Sequence, residues 1–407
     1  MQKSSGLLCK NCIVCILYQN LFMKLSFTTM ALVVTTTSAL ALLALTNPAN
    51  TTKKPEAPKI QVAVLLDVSN SMDGLIDQAK AQLWNMVNTM AKAKCSGDMA
   101  PQIEIALYEY GRSSNDVKQG YVKKINGFIS NLDSLSENLF GLTTNGGDEY
   151  CGHVIFSSIN ELQWDATPTY YKVIFIAGNE DFLQGDVQYL QACGAAKQKG
   201  VIVNTIYCGD KMQGIREHWN LNAECGNGSY TNINQNAKTE EIPTPYDSMI
   251  YVMNNKLNGT YITYGSYGTM GFSKQSKMDV ANSSMGKSAG LKRVAAKSNS
   301  KIYYNGDWDL VDKVQADSIG AFASLEMKTL PDSLKNKTKA ELKTIVAAKT
   351  KERNAVQQEI LTLNKQREAY IAAEKAKRAG NKNEQTLETE VERIIKEQAK
   401  RYNMKIE

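Results

Sequence analysis

Between residues 60 and 233 the chain alternates two periods. Short β-branched and aromatic runs, Ile60–Leu66, Ile103–Tyr110, Val173–Ala177 and Val201–Tyr207, are apolar almost throughout. Between them lie stretches whose apolar residues recur at helical spacing, as Leu75, Ile76, Ala79, Leu83, Met86, Val87 and Met90 do. A strand that is apolar on both faces leaves neither face for water, so both must be covered. Such strands, alternating with amphipathic helices over 132–142, 154–162, 187–199 and 215–223, predict an α/β fold. Its core is a doubly wound, mostly parallel sheet with helices on both faces, and shorter strands are expected near 121–125 and 229–233.

Sheets of this kind bind ligands beyond the carboxyl ends of their strands. The first such end reads Asp67-Val-Ser69-Asn-Ser71-Met. In an extended segment residues at i, i+2 and i+4 point the same way, so one carboxylate and two hydroxyls can converge. These are hard oxygens, suited to Mg²⁺ or Mn²⁺. An ion held largely through neutral hydroxyls and water keeps an open position, which an acidic group of a partner can complete. That is binding chemistry and requires no catalysis. The competing explanation makes the serines caps of the helix beginning near Asp73. It accounts for one serine, and it leaves unexplained an aspartate that closes a buried strand.

This segment, ending an apolar strand and opening a helix, resembles the metal-ion-dependent adhesion site of the von Willebrand factor type A family. The order of elements from 58 to 235 is similar to that family's Rossmann-like domain. The resemblance implies a threonine from a second loop and an aspartate from a third. The second loop, Leu142-Thr-Thr-Asn-Gly-Gly-Asp-Glu-Tyr-Cys151, offers Thr143, Thr144 and Asp148. Thr144 matches by residue type, and Asp148 matches the expected distance from the next helix. The third loop, Ala177-Gly178-Asn179-Glu180-Asp181, departs from the family's Thr-Asp-Gly and places Gly178 where the aspartate belongs. Asn179 or Glu180, with Asp181 as a third option, would have to reach the ion. The implied function is divalent-metal-dependent binding of a protein partner that presents a carboxylate.

Enzymatic signatures are sparse. No G-x-x-x-x-G-K-[ST] or G-x-G-x-x-G follows a strand, and Ser69 stands where a haloacid dehalogenase would carry its second aspartate. The two histidines, His153 and His218, are too few for a histidine metal cluster, and His153 reads as a packing or rim residue. The chain is therefore expected to be no enzyme and to bind no nucleic acid. Two rival classes stand beside the adhesion reading. One is a metal-free assembly protein working through its helical tail, and the other is a metal-dependent hydrolase.

The remaining segments set the context. Residues 1–22 read as a start-site extension, and Cys9, Cys12 and Cys15 within it are read as no metal site. Residues 23–46 combine a basic start with an uncharged run, Met30–Leu45, of 16 residues, short of the roughly 20 that span a bilayer. They describe a bacterial-type secretory signal or, left uncleaved, an N-terminal membrane anchor. Export to the periplasm, cell envelope or medium follows. In that setting some of Cys95, Cys151, Cys193, Cys208 and Cys225 should pair, with Cys151–Cys208 the first choice. Residues 58–235 form the expected family domain. Residues 236–330 form an accessory region in which 261–300 lacks a clear period. Residues 331–407 form a basic helical tail with 18 Lys/Arg against 12 Asp/Glu. Leu342, Ile345, Val356, Ile360 and Leu363 fall near a coiled-coil period, which suits either a partner helix or packing on the chain's own domain.

Overall fold

The computed structural model describes residues 57–94, 99–237, 241–377 and 386–406. The readings of 1–22 and 23–46, with Cys9, Cys12, Cys15 and Cys95, lie outside them. Six strands form the main sheet: β1 (Lys59–Asp67), β2 (Gln102–Tyr110), β3 (Lys123–Ile129), β4 (Tyr171–Gly178), β5 (Ile202–Cys208) and β6 (Tyr230–Ile233). Their order is β3-β2-β1-β4-β5-β6. Every neighbouring pair is parallel except β2–β3. The winding therefore reverses between β1 and β4, the switch point beyond which sheets of this kind bind their ligands.

The pleat sorts the β1 side chains between two cores. Ile60, Val62 and Leu66 face one layer, made by α1 (Asp73–Ala91) and α2 (Leu132–Phe140). Ala63 and Leu65 face the other, made by α3 (Cys151–Glu161) and α4 (Tyr189–Lys199). The helix expected over 215–223 is two short helices, α5 (Lys211–Arg216) and α6 (Trp219–Cys225). This sorting overturns the Cys151–Cys208 pairing. Cys151 lies in the α3-side core and Cys208 in the α1-side core, so the sheet separates them, and both are buried free thiols. Cys193 is disulfide-bonded.

The chain continues through α7 (Asp247–Asn258), α8 (Gly268–Met285), α9 (Lys287–Lys297), α10 (Leu310–Ala316), α11 (Ser318–Ala323), α12 (Lys339–Lys377) and α13 (Leu387–Ala399). α8 and α9 occupy the stretch whose sequence shows no period. Their buried positions include Gln275, Asn282, Arg293 and Lys297, so polarity conceals the inward face. The coiled-coil-like face of α12 is covered by this chain's own helices. Val356, Ile360 and Leu363 pack with Ile250 and Leu257 of α7, and Leu342 and Val346 pack with Leu310 and Val311 of α10. Arg353 and Arg367 interrupt that face, each held by an aspartate. The end of the basic tail returns to the main sheet, where Leu387, Val391, Ile394, Ile395 and Ala399 of α13 enter the same core as β1 and α1. Gln398 seals this contact, donating to Asn204 Oδ1 at 2.6 Å and accepting from Tyr171 Oη at 2.9 Å. Ala93–Lys94 then pairs antiparallel with Lys405–Ile406.

Candidate metal centre

Asp67 is the last residue of β1 and fully buried. Its backbone register with Tyr110 holds it at the switch point, and Val68 is pinned on both sides by Tyr110 O (2.9 Å) and Asn145 N (2.8 Å). Asp67 Oδ1 accepts from the Ser69 amide at 2.7 Å, whereas Oδ2 is buried without a hydrogen-bond partner. The Ser69 and Ser71 hydroxyls lie 3.4 Å apart. Neither caps the helix: the short turn from Ser69 and α1 itself both begin without a side-chain cap. Ser71 is exposed at this edge of the sheet and Ser69 is buried beneath it.

The second loop sorts its candidates in an unexpected way. Arg112, paired with Glu109 at 3.0 Å, donates to the Thr143 carbonyl and hydroxyl. Thr144 donates to Asp73 at the start of α1. Asp148 is exposed and accepts from Tyr150 Oη at 3.4 Å. None of the three engages Asp67. The residue that does is Glu149, buried to 4% exposure. Gly111, at φ +82°, sits between the two acids, and a Cβ there would lie 2.9 Å from both Asp67 Oδ1 and Glu149 Cγ. Glu149 Oε2 is likewise buried without a partner. Burial, and then the charge of Asp67, pushes Glu149 up to about 9. Burial also raises Asp67, against the lowering pull of its hydrogen bonds with Glu149 and Ser69. At neutral pH Glu149 therefore keeps its proton.

The sequence carries no local signal for Glu149: the loop before α3 has no regular period, and Tyr150 stands outside the extended region.

The third loop supplies one contact, Asn179, which donates to Ser71 Oγ at 3.2 Å. The Glu180 side chain is exposed, and its charge acts on Asp67 and Glu149 from a distance. Its carbonyl accepts from Trp219 Nε1 at 2.7 Å. Asp181 turns away to His218 Nδ1 at 3.1 Å. His153 lies beside Gly120, and burial lowers its pKa.

Gly178 occupies the place of the family's aspartate, and the surroundings explain why no side chain stands there. A Cβ would run into the Tyr110 hydroxyl, which donates to Ala177 O at 3.0 Å, and would lie 3.1 Å from Asp67 Oδ2. Gly178→Asp is therefore expected to cost about 1–3 kcal/mol by overpacking, read as a lower denaturation midpoint, with no gain in Mg²⁺ affinity by calorimetry.

Among the described residues no group of three or more His, Cys, Asp or Glu side chains is placed to hold a metal. The donors gathered here are mixed: two carboxyls, two hydroxyls and an amide. Two acceptor oxygens buried without donors fit a hard divalent cation, because an unsatisfied buried acceptor otherwise costs about 1–3 kcal/mol.

Strand order and the antiparallel edge strand fit a fold of the von Willebrand factor type A class. No protein-family model and no curated relative matches the chain. Among solved structures it is similar to proximal thread matrix protein 1 from the mussel byssus, solved with a zinc-occupied MIDAS motif. That match has 15% identity and TM-score 0.32 over 43% of this chain and 42% of that one. It is also similar to a von Willebrand factor type A protein from Catenulispora acidiphila, with 13% identity and TM-score 0.33 over 44% and 39% of the two chains. An aerotolerance-related membrane protein from Bacteroides fragilis matches at 15% identity and TM-score 0.31, over 44% and 93%. The chain thus spans less than half the length of the mussel protein.

Proposed function

We propose that this protein is a divalent-metal-dependent protein-binding module. Asp67, Ser69, Ser71 and Glu149 would hold Mg²⁺ or Mn²⁺, with Asn179 at the open side. In this reading Glu149 supplies from the second loop the carboxylate that the third loop lacks. Thr144, Asp148 and Glu180 are not ligands in it. The observation that carries the proposal is that two buried carboxyl oxygens of this site, Asp67 Oδ2 and Glu149 Oε2, have no hydrogen-bond partner. The ion would supply positive charge at the carboxyl edge of the sheet, to be completed by an acidic side chain of the partner. Ser71 is exposed there, and the buried acids neutralise the ion from beneath. The export reading of residues 23–46 places this contact in the cell envelope or outside the cell, and the role is binding rather than catalysis.

Calorimetric titration of the full chain with Mg²⁺ and Mn²⁺ tests this. Asp67→Ala and Glu149→Gln should each lower affinity at least about tenfold, the weight of one lost charge-assisted ligand, whereas Thr144→Val and Asp148→Asn should not. Glu149 keeps its proton up to about 9, so uptake at neutral pH should expel close to one proton. Apparent affinity should weaken as pH falls. Titrations indifferent to Asp67→Ala would remove the proposal.

A further inference from the structure

The two ends of the sheet differ in charge. β1 runs from an amino edge at Lys59 to a carboxyl edge at Asp67. The carboxyl edge mixes Asp67, Asp73, Asp148, Glu149, Glu180 and Asp181 with Arg112, Lys118, Lys123 and Lys211. At the opposite edge a cleft of about 640 Å³ opens between the end of α1, the loop after α9, and α12. Lys92, Lys94, Lys301 and Lys365 line it, and the one carboxylate among its described lining residues, Glu368, is tied to Lys92 at 3.1 Å. Lys405 stands opposite Lys94 in the two-residue ribbon. Lys301, Lys365 and Lys405 are exposed and have no ion-pair partner among the described residues. Asn364 Nδ2, from the same lining, is buried without an acceptor.

A helix C-terminus attracts cations, which accounts for Lys92 at the end of α1. It does not account for Lys301 and Lys365, which other elements bring to the same cleft. The surface is rich in donors and poor in acceptors, as expected where an anion belongs. The chain also enters β1 at this edge, a short way after the uncharged run Met30–Leu45.

We propose that the amino edge rests on an anionic lipid surface, with headgroup phosphates against Lys301, Lys365 and Lys405. With the amino edge on the surface, the Asp67 end of β1 faces away from the bilayer and toward a partner. A basic side chain near such a surface contributes about fivefold in binding, within a Debye length. This inference depends on neither the metal nor the adhesion-site reading.

Co-sedimentation of the full chain with phosphatidylglycerol-containing vesicles, against pure phosphatidylcholine, tests it. Binding should be stronger to the anionic vesicles, and the excess should fall with added salt. The triple variant Lys301→Glu/Lys365→Glu/Lys405→Glu should lose that excess by on the order of a hundredfold with an unchanged melting temperature. Lys118→Glu/Lys123→Glu/Lys211→Glu alters net charge equally but at the carboxyl edge, and should retain it. A chelator should leave lipid binding unchanged. Equal binding to both vesicles, an equal loss in the second triple, or abolition by chelator would each overturn the proposal.

Discussion

Asp279→Asn is expected to destabilise the protein by about 3–5 kcal/mol, the usual loss when one partner of a buried ion cluster is removed. Asp279 joins three helices. Its Oδ1 accepts from Arg293 Nε at 2.6 Å, and its Oδ2 accepts from Lys297 Nζ at 2.7 Å and Asn258 Nδ2 at 2.9 Å. Arg293, 1% exposed, also pairs with Asp133 at 2.7 Å and lies 4.7 Å over the Trp84 ring. With asparagine at 279, Lys297 and Arg293 stay buried as two neighbouring cations with one carboxylate fewer. Burial alone would raise the Asp279 carboxyl, but Lys297 and Arg293 more than offset it and hold it well below the usual range. A depressed carboxyl stabilises the fold above its unfolded pKa, about 3.9, and the contribution fades as pH falls below that value. The deficit of the variant should therefore be full at pH 7 and shrink below about pH 4. Urea unfolding at several pH values measures it, and a difference under about 1 kcal/mol at pH 7 would contradict the role assigned to the cluster.

Arg353→Met should cost about the same 3–5 kcal/mol at neutral pH, and its deficit should also shrink toward acid, for a different reason. Arg353 Nη1 lies 2.5 Å from both Asp309 Oδ2 and Asp312 Oδ1, and its Nε and Nη2 donate to Thr260 Oγ1 and O at 2.9 Å each. The guanidinium also lies 4.6 Å over the Tyr261 ring. Burial and the Asp309 charge already push Asp312 up to about 6 despite Arg353. Between the unfolded value of about 3.9 and 6 the native state binds the extra proton, so this group lowers stability as pH rises. Without Arg353 that rise is larger. The variant should be closest to wild type near pH 4 and fall furthest behind at neutral pH, as denaturant midpoints across that range would reveal.

The Asp279 cluster lies where the sequence is least legible. Helical periods are read from apolar residues, and α8 and α9 turn Gln275, Asn282, Arg293 and Lys297 inward. Those side chains are tolerable in a core only because Asp133 and Asp279, from different elements, meet them there. Nothing within either helix announces that pairing. α12 differs: its Leu342, Val356, Ile360 and Leu363 repeat was readable, but not the identity of the surface that covers it.

The candidate site divides along the same line. By itself the sequence determined the doubly wound sheet and the convergence of Asp67, Ser69 and Ser71 at the end of β1, because strand alternation and an i, i+2, i+4 spacing are local. Only the tertiary structure decided the second and third loops. Arg112 draws Thr143 away, Asp73 takes the Thr144 hydroxyl, and Tyr110 leaves no room for a side chain at Gly178. Glu149 is left against Asp67, because the direction of a side chain in an irregular loop is set by partners that the fold brings from elsewhere in the chain.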